Sequence, residues 1–187
     1  MGYKHISEFK ENQFENWDPD KFNWTEYSYE LTRYCSEYFN IWWDPNKFNW
    51  EMYSWSLCEY YVDNFDVWWD EDKFNWNHSL DRLCKYCSKY FRIWWNSKKI
   101  DWELYSWALA RYCSEYFRLW WDPEKFNWEI YLNLLIEYCL DYIDIWWDLD
   151  KIAENFTYGS HELVCGNDKI PTKYKLQLKL LLNINRG

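Results

Sequence analysis

The chain predicts an all-α fold: a right-handed α-solenoid of five to six 26-residue short-helix/long-helix repeats, with a non-repeat C-terminal tail. Three observations lead there. A nine-residue phrase recurs, as WWDPNKFNW at Trp42–Trp50, WWDEDKFNW at Trp68–Trp76 and WWDPEKFNW at Trp120–Trp128. Between the copies runs an apolar stripe of helical period. In three copies an Asp-Pro pair follows the stripe, and such a pair both ends one helix and starts another.

Repeats beginning at Asp18, Asp44, Asp70, Asn96 and Asp122 align without insertion or deletion. A sixth begins at Asp148 and loses the pattern after Phe156. Residues 1–17 read as a diverged N-terminal cap, 18–158 as a Trp/Tyr-rich array, and 159–187 as a basic C-terminal tail. With each repeat numbered 1 to 26, tryptophan at 7, leucine at 14, tyrosine at 17 and tryptophan at 25 and 26 are constant. On a helical wheel they and their near-constant neighbours form one stripe, except position 26, so positions 7–26 read as one helix about 30 Å long. Its N-cap is position 6, where Asn23, Asn49, Asn75, Asp101 and Asn127 can each accept a free N–H. Positions 2–5 read as a short turn of α- or 3₁₀-helix. One repeat cannot cover its own aromatic stripe, whereas stacked neighbours can. A continuous coiled coil is excluded by the breaks and by a period that is no multiple of seven or eleven.

This short-helix/long-helix alternation resembles the α-solenoid repeat proteins, most of all the leucine-rich-repeat variant type, with Trp and Tyr where that type uses Leu. The resemblance covers residues 18–158 and implies a scaffold that binds other macromolecules.

The totals agree with a folded chain. At 187 residues it suits one domain, and its 18 Trp and 18 Tyr supply ample apolar area. No apolar run is long enough to span a membrane and the start lacks an apolar leader core, so a soluble cytoplasmic protein is expected. Cys35, Cys87, Cys113 and Cys139 all occupy position 18, as small buried hydrophobes in a reducing compartment would.

Candidate chemistry is sparse. Cys84 and Cys87 have zinc-ligand spacing, but no second such pair exists and both stand at repeat positions. The stretch from His161 to Cys165 is one residue away from a zinc-helix motif. Glycine-rich phosphate loops are absent. Carboxylates recur with the repeat, as caps and surfaces do, whereas an active site occurs once. No enzyme, cofactor or metal site is expected. A lysine ladder at position 4, from Lys21 to Lys151, reads as cations lying over Trp and meeting the acids of the corner.

The working surface is expected where the copies disagree, at positions 9, 12, 16, 20 and 23. Face charges per repeat run −1, −3, +2, +1 and −3, a cationic centre between acidic flanks. Tyr29, Trp55, Lys85, Lys89, Arg92, Trp107, Arg111 and Arg118 are the expected partner-binding residues, aromatic anchors with charges that set register. The plain alternative is an ordinary solvated face. The expected function is therefore a non-catalytic scaffold for protein–protein interaction. Its alternatives are a self-assembling structural protein, forming homo-oligomers through array ends or tail, and a single-stranded nucleic-acid binder, which the net charge of −10 disfavours. In the tail, Tyr174 to Ile184 alternate apolar and polar, a strand period; a capping strand and a helix both fit.

Overall fold

The computed structural model describes residues 14–15, 17–155, 164 and 166–184, and every repeat in it opens with the same turn. The position-1 side chain accepts from the backbone N–H two residues on: Asp44 from Asn46 at 2.9 Å, Asp70 from Asp72 at 3.1 Å, and Asp122 from Glu124 at 3.1 Å. This Asx turn reverses the chain without glycine. The position-7 indole then closes the corner by donating to the carbonyl of position 2. Trp24 bonds Pro19 at 2.8 Å, Trp50 bonds Pro45 at 2.8 Å, and Trp128 bonds Pro123 at 2.7 Å. Positions 2–5 are thus a turn; only the sixth repeat forms a helix there, Leu149–Glu154.

The first helix of each repeat has 11 residues: α1 Trp24–Tyr34, α3 Trp50–Tyr60, α5 Trp76–Tyr86, α7 Trp102–Tyr112 and α9 Trp128–Tyr138. It ends at position 17, earlier than the wheel predicts. A 3₁₀ turn follows, and then a four-residue helix: α2 Phe39–Trp42, α4 Phe65–Trp68, α6 Phe91–Trp94, α8 Phe117–Trp120 and α10 Ile143–Trp146. Each repeat therefore holds one long and one short helix, with the short one after the long one. No proline or glycine makes this break. The position-18 carbonyl leaves the α-helical pattern and takes two other donors, the position-21 N–H and the position-25 indole. Cys35 accepts from Tyr38 at 3.1 Å and from Trp42 at 2.9 Å; Cys113 accepts from Tyr116 at 3.0 Å and from Trp120 at 2.9 Å. The indole thus gives this buried carbonyl a second donor beside the position-21 N–H.

The chain forms two compact halves, residues up to Trp94 and residues from Trp95. In the first, α1 packs on α3 and α3 on α5. In the second, α7 packs on α9, α9 on the helix Leu149–Glu154, and that helix on a C-terminal helix, Thr172–Ile184. The tail alternation is thus housed in a helix that buries Tyr174 and Leu178. Among the described residues there is no strand. The segment expected as an N-terminal cap, and most of His161–Cys165, lie outside the described residues.

Repeats join through rings. The position-22 phenylalanine stacks on its own position-26 tryptophan and on a tyrosine of the next repeat. Phe65 lies 5.2 Å from Trp69 and 4.4 Å from Tyr90; Phe117 lies 4.9 Å from both Trp121 and Tyr142. Trp43 then meets Trp50 edge to face at 5.6 Å, and Trp121 meets Trp128 at 5.5 Å. These are preferred aromatic geometries, and each buried ring removes roughly 150–250 Å² from water. Leu31, Leu57, Leu83, Leu109 and Leu135 are completely buried beneath them.

Candidate functional site

Polar bonds join the seams as well as rings. The position-6 asparagine works in two directions. Asn127 Oδ1 caps α9 by accepting from Ile130 N–H at 3.2 Å, while its Nδ2 donates to the Glu103 carbonyl of the preceding repeat at 3.3 Å. Asn49 does the same with Met52 and Thr25. A capping argument alone treats Asn and Asp as equivalent and misses the second bond. Ser28 adds another link, donating to the Trp24 carbonyl at 2.5 Å and accepting from Asn49 N–H at 3.2 Å.

The lysine ladder belongs to the seams too. Lys47 pairs with Asp20, Lys73 bonds Asn46 at 3.0 Å, and Lys151 pairs with Glu124 at 3.6 Å, each reaching position 3 of the preceding repeat. Lys125 departs from this pattern. Lys98 occupies its position 3, so Lys125 turns to Asp122 at 3.2 Å and lies 5.6 Å over the Trp102 ring.

Cys84 and Cys87 are fully buried, and Cys87 Sγ donates to the Cys58 carbonyl at 3.8 Å. Burial pushes the Cys35 thiol up to about 11 and the Cys139 thiol to about 12. These are core thiols. Among the described residues no group of three or more His, Cys, Asp or Glu is placed to hold a metal ion. A groove of about 480 Å³ between Trp50 and His78 is lined by Lys73 and Asn75, which already serve the seam.

The expected partner-binding residues divide between the two halves and, because the helix breaks, between two rows. Tyr29, Trp55 and Lys85 stand on first helices of the N-terminal half, while Lys89 and Arg92 follow the break. Tyr29 and Trp55 are half-buried, with ring centroids 5.4 Å apart. Arg33 donates to the Tyr29 hydroxyl at 2.5 Å, and Arg82 lies 5.9 Å over Trp55 while reaching Glu59 at 3.4 Å. Lys85 lies 4.6 Å over Tyr86. Lys89 pairs with Asp63 at 3.0 Å, and that bond raises its pKa. Arg92 is exposed and makes no ion pair among the described residues.

In the C-terminal half, Trp107 and Arg111 stand on α7 and Arg118 on α8. Trp107 is half-buried and meets Tyr112 edge to face at 6.0 Å. Arg111 lies 5.5 Å from the Tyr112 centroid and 5.6 Å from that of Tyr138. Arg118 is exposed and unpaired among the described residues. In each half, then, aromatics and cations form a ready-made surface patch. The charge count foresaw its composition; it did not foresee that Lys85, Lys89 and Arg111 are already engaged by rings or acids.

Two rows escaped the sequence reading. Position 17, placed there in the buried stripe, is partly open: Tyr34 is 63% exposed and Tyr60, Tyr86, Tyr112 and Tyr138 are half-buried. Position 24 is aliphatic in every repeat yet outward-facing, with Ile41, Val67 and Ile93 in one half and Leu119 and Ile145 in the other. At position 24 the available signal was an aliphatic residue in every repeat outside the wheel's apolar stripe; position 17 carried no such signal.

The fold and these patches define a helical repeat array with aromatic–cationic surface patches. No protein-family model, curated protein or solved structure matches the chain.

Proposed function

We propose that this chain is a non-catalytic repeat scaffold that binds a protein partner through the outward surface of its helices. One observation carries the reading. The position-7 and position-25 tryptophans are buried in the core, whereas Tyr29 is held half-open beside Arg33, Trp55 beside Arg82, and Trp107 against Tyr112, the ring over which Arg111 lies. Rigid aromatics with flanking arginines are the usual energetic centres of protein interfaces. The likeness to the leucine-rich-repeat variant arrays supports the same reading. In it the protein works in the cytoplasm, without cofactor, and the net charge of −10 turns nucleic acid away.

The test is capture from nuclease-treated lysate by the wild-type chain and by a variant carrying Lys85, Lys89, Arg92, Arg111 and Arg118 all changed to Glu. A protein held by the wild type and released by the variant places the interface on this surface. Equal capture by both moves the interface elsewhere, and recovery of the chain alone overturns the reading. The position-24 aliphatic row favours a second reading, self-assembly. There, Val67→Glu and Leu119→Glu would lower the mass in solution.

A further inference from the structure

Tyrosine stands at position 17 of all five repeats, and neither burial nor shared ancestry explains it. Tyr34 is 63% exposed and the others are half-buried, while nearby positions 9, 12 and 16 have diverged freely between copies. Within each half a cation braces these rings. Lys85 lies 4.6 Å over Tyr86 and donates to its hydroxyl at 3.0 Å. Arg111 touches Tyr112 and Tyr138 together, at 5.5 and 5.6 Å, which keeps the two centroids within about 11 Å of each other. Braced rings lose little further freedom on binding.

The separation of Tyr112 and Tyr138 suits an extended ligand. Side chains at matching ends of packed helices recur about every 8–10 Å. A polyproline II helix advances about 3.1 Å per residue with three residues per turn, so one of its faces recurs about every 9 Å. Its backbone makes no internal hydrogen bonds, which leaves its carbonyls free to accept from the Tyr112 hydroxyl, while the Tyr138 hydroxyl already meets the Glu137 carboxylate. Beside Tyr138 a cavity of about 380 Å³ is lined by the carboxylates of Glu137 and Asp141 and by one cation, Lys169. That excess of acid suits a cationic side chain.

We propose that Tyr112 and Tyr138 are a docking surface for a proline-rich segment. Prolines three residues apart pack against the two phenol rings, and a flanking arginine enters the Glu137–Asp141 cavity. The inference rests on the scaffold reading and names the chemistry of its partner.

Fluorescence anisotropy tests it on the full chain. The probe is a labelled peptide with proline at every third residue and one terminal arginine. Comparators are the same composition with the prolines out of register, the arginine-to-glutamate peptide, and a labelled oligopyrimidine. The in-register peptide should bind about tenfold tighter than the out-of-register one. Tyr112→Ser with Tyr138→Ser should weaken it by about tenfold with an unchanged circular dichroism spectrum. Glu137→Gln with Asp141→Asn should erase the preference for arginine. If the serine variant loses helix, Tyr112→Phe with Tyr138→Phe replaces it and should weaken binding by removing the hydroxyls alone. Indifference to register, indifference to the tyrosines, absence of peptide binding, or preference for the oligopyrimidine would each overturn the proposal. Charge-dependent capture of a protein alongside such a failure would leave the scaffold reading standing.

Discussion

The indole N–H of Trp68 donates to the backbone carbonyl of Tyr61 at 2.7 Å, across the break between α3 and α4. The same bond joins Trp42 to Cys35, Trp94 to Cys87, Trp120 to Cys113 and Trp146 to Cys139. It makes position 25 a structural donor as well as a core ring, and it fixes where each helix stops.

Trp68→Phe keeps most of the ring but removes one of the two donors to that carbonyl, leaving the Asn64 N–H, so it should cost about 0.5–1.5 kcal/mol. Trp68→Ala should cost about 3–5 kcal/mol by leaving a cavity as well. Urea denaturation followed by circular dichroism measures both. A neutral Trp68→Phe would show that the ring alone matters.

Asn127→Asp preserves the cap on α9 but removes the amide bonded to Glu103. It should therefore destabilise by about 1 kcal/mol, and Asn127→Ala, which loses both bonds, by about 2 kcal/mol. Equal effects of the two substitutions would exclude any contribution from the inter-repeat bond.

Tyr61 and Asn64 should be energetically coupled. The second repeat lacks the usual position-21 tyrosine, and Tyr61, at position 18, stacks on Phe39 at 4.4 Å in its place. Tyr61→Cys should be destabilising, and adding Asn64→Tyr should recover about 0.5–1.5 kcal/mol by restoring the stack seen at Tyr90 on Phe65. A double-mutant cycle gives the coupling; strict additivity would deny it.

The core thiols should resist modification and sensitise the fold to alkali. Folding raises Cys35 from 9.0 to about 11 and Cys139 from 9.0 to about 12. The folded state thus retains protons that the unfolded state releases. Stability should be full below pH 9 and fall as pH rises from 9 towards 11–12. In a Cys165→Ser background, a maleimide should label these thiols at neutral pH only as fast as the chain opens. Rapid labelling of the native protein would contradict their burial.

Lys98→Glu should give Lys125 a position-3 acid such as Lys47 and Lys151 use. Exposed ion pairs contribute about 0–1 kcal/mol, so the melting temperature should rise slightly at low salt, and the gain should vanish near 1 M. A rise that persists in high salt would point to another cause.

The candidate surface was only partly legible beforehand. Tyr29, Trp55, Trp107 and Arg111 were visible as outward positions because the first helix obeys the 3.6-residue period they were counted on. Lys89, Arg92 and Arg118 were assigned to the same line, but they lie beyond a break that no residue type announces. Its cause is a hydrogen bond seven residues long, and wheel arithmetic has no term for it. Position 17 was misplaced for a related reason: repetition was read as burial, although a tyrosine beside a cation can be retained while half in water.

By itself the sequence determined the repeat length, the capped helix starts and the aromatic nature of the seams. These follow from local hydrogen-bonding chemistry and from periodicity, both of which act along the chain. Only the tertiary structure decided where the helices break, why asparagine outnumbers aspartate at position 6, and which lysines find acids. It alone decided, too, that the tail is a helix. Each of these depends on a partner supplied by another repeat or by a folded-back side chain: the Glu103 carbonyl for Asn127, Asp20 for Lys47, Trp147 against Tyr174 at 4.7 Å. Apolar alternation in the tail was ambiguous because a short Leu-rich run suits either period, and packing against the helix Leu149–Glu154 chose between them.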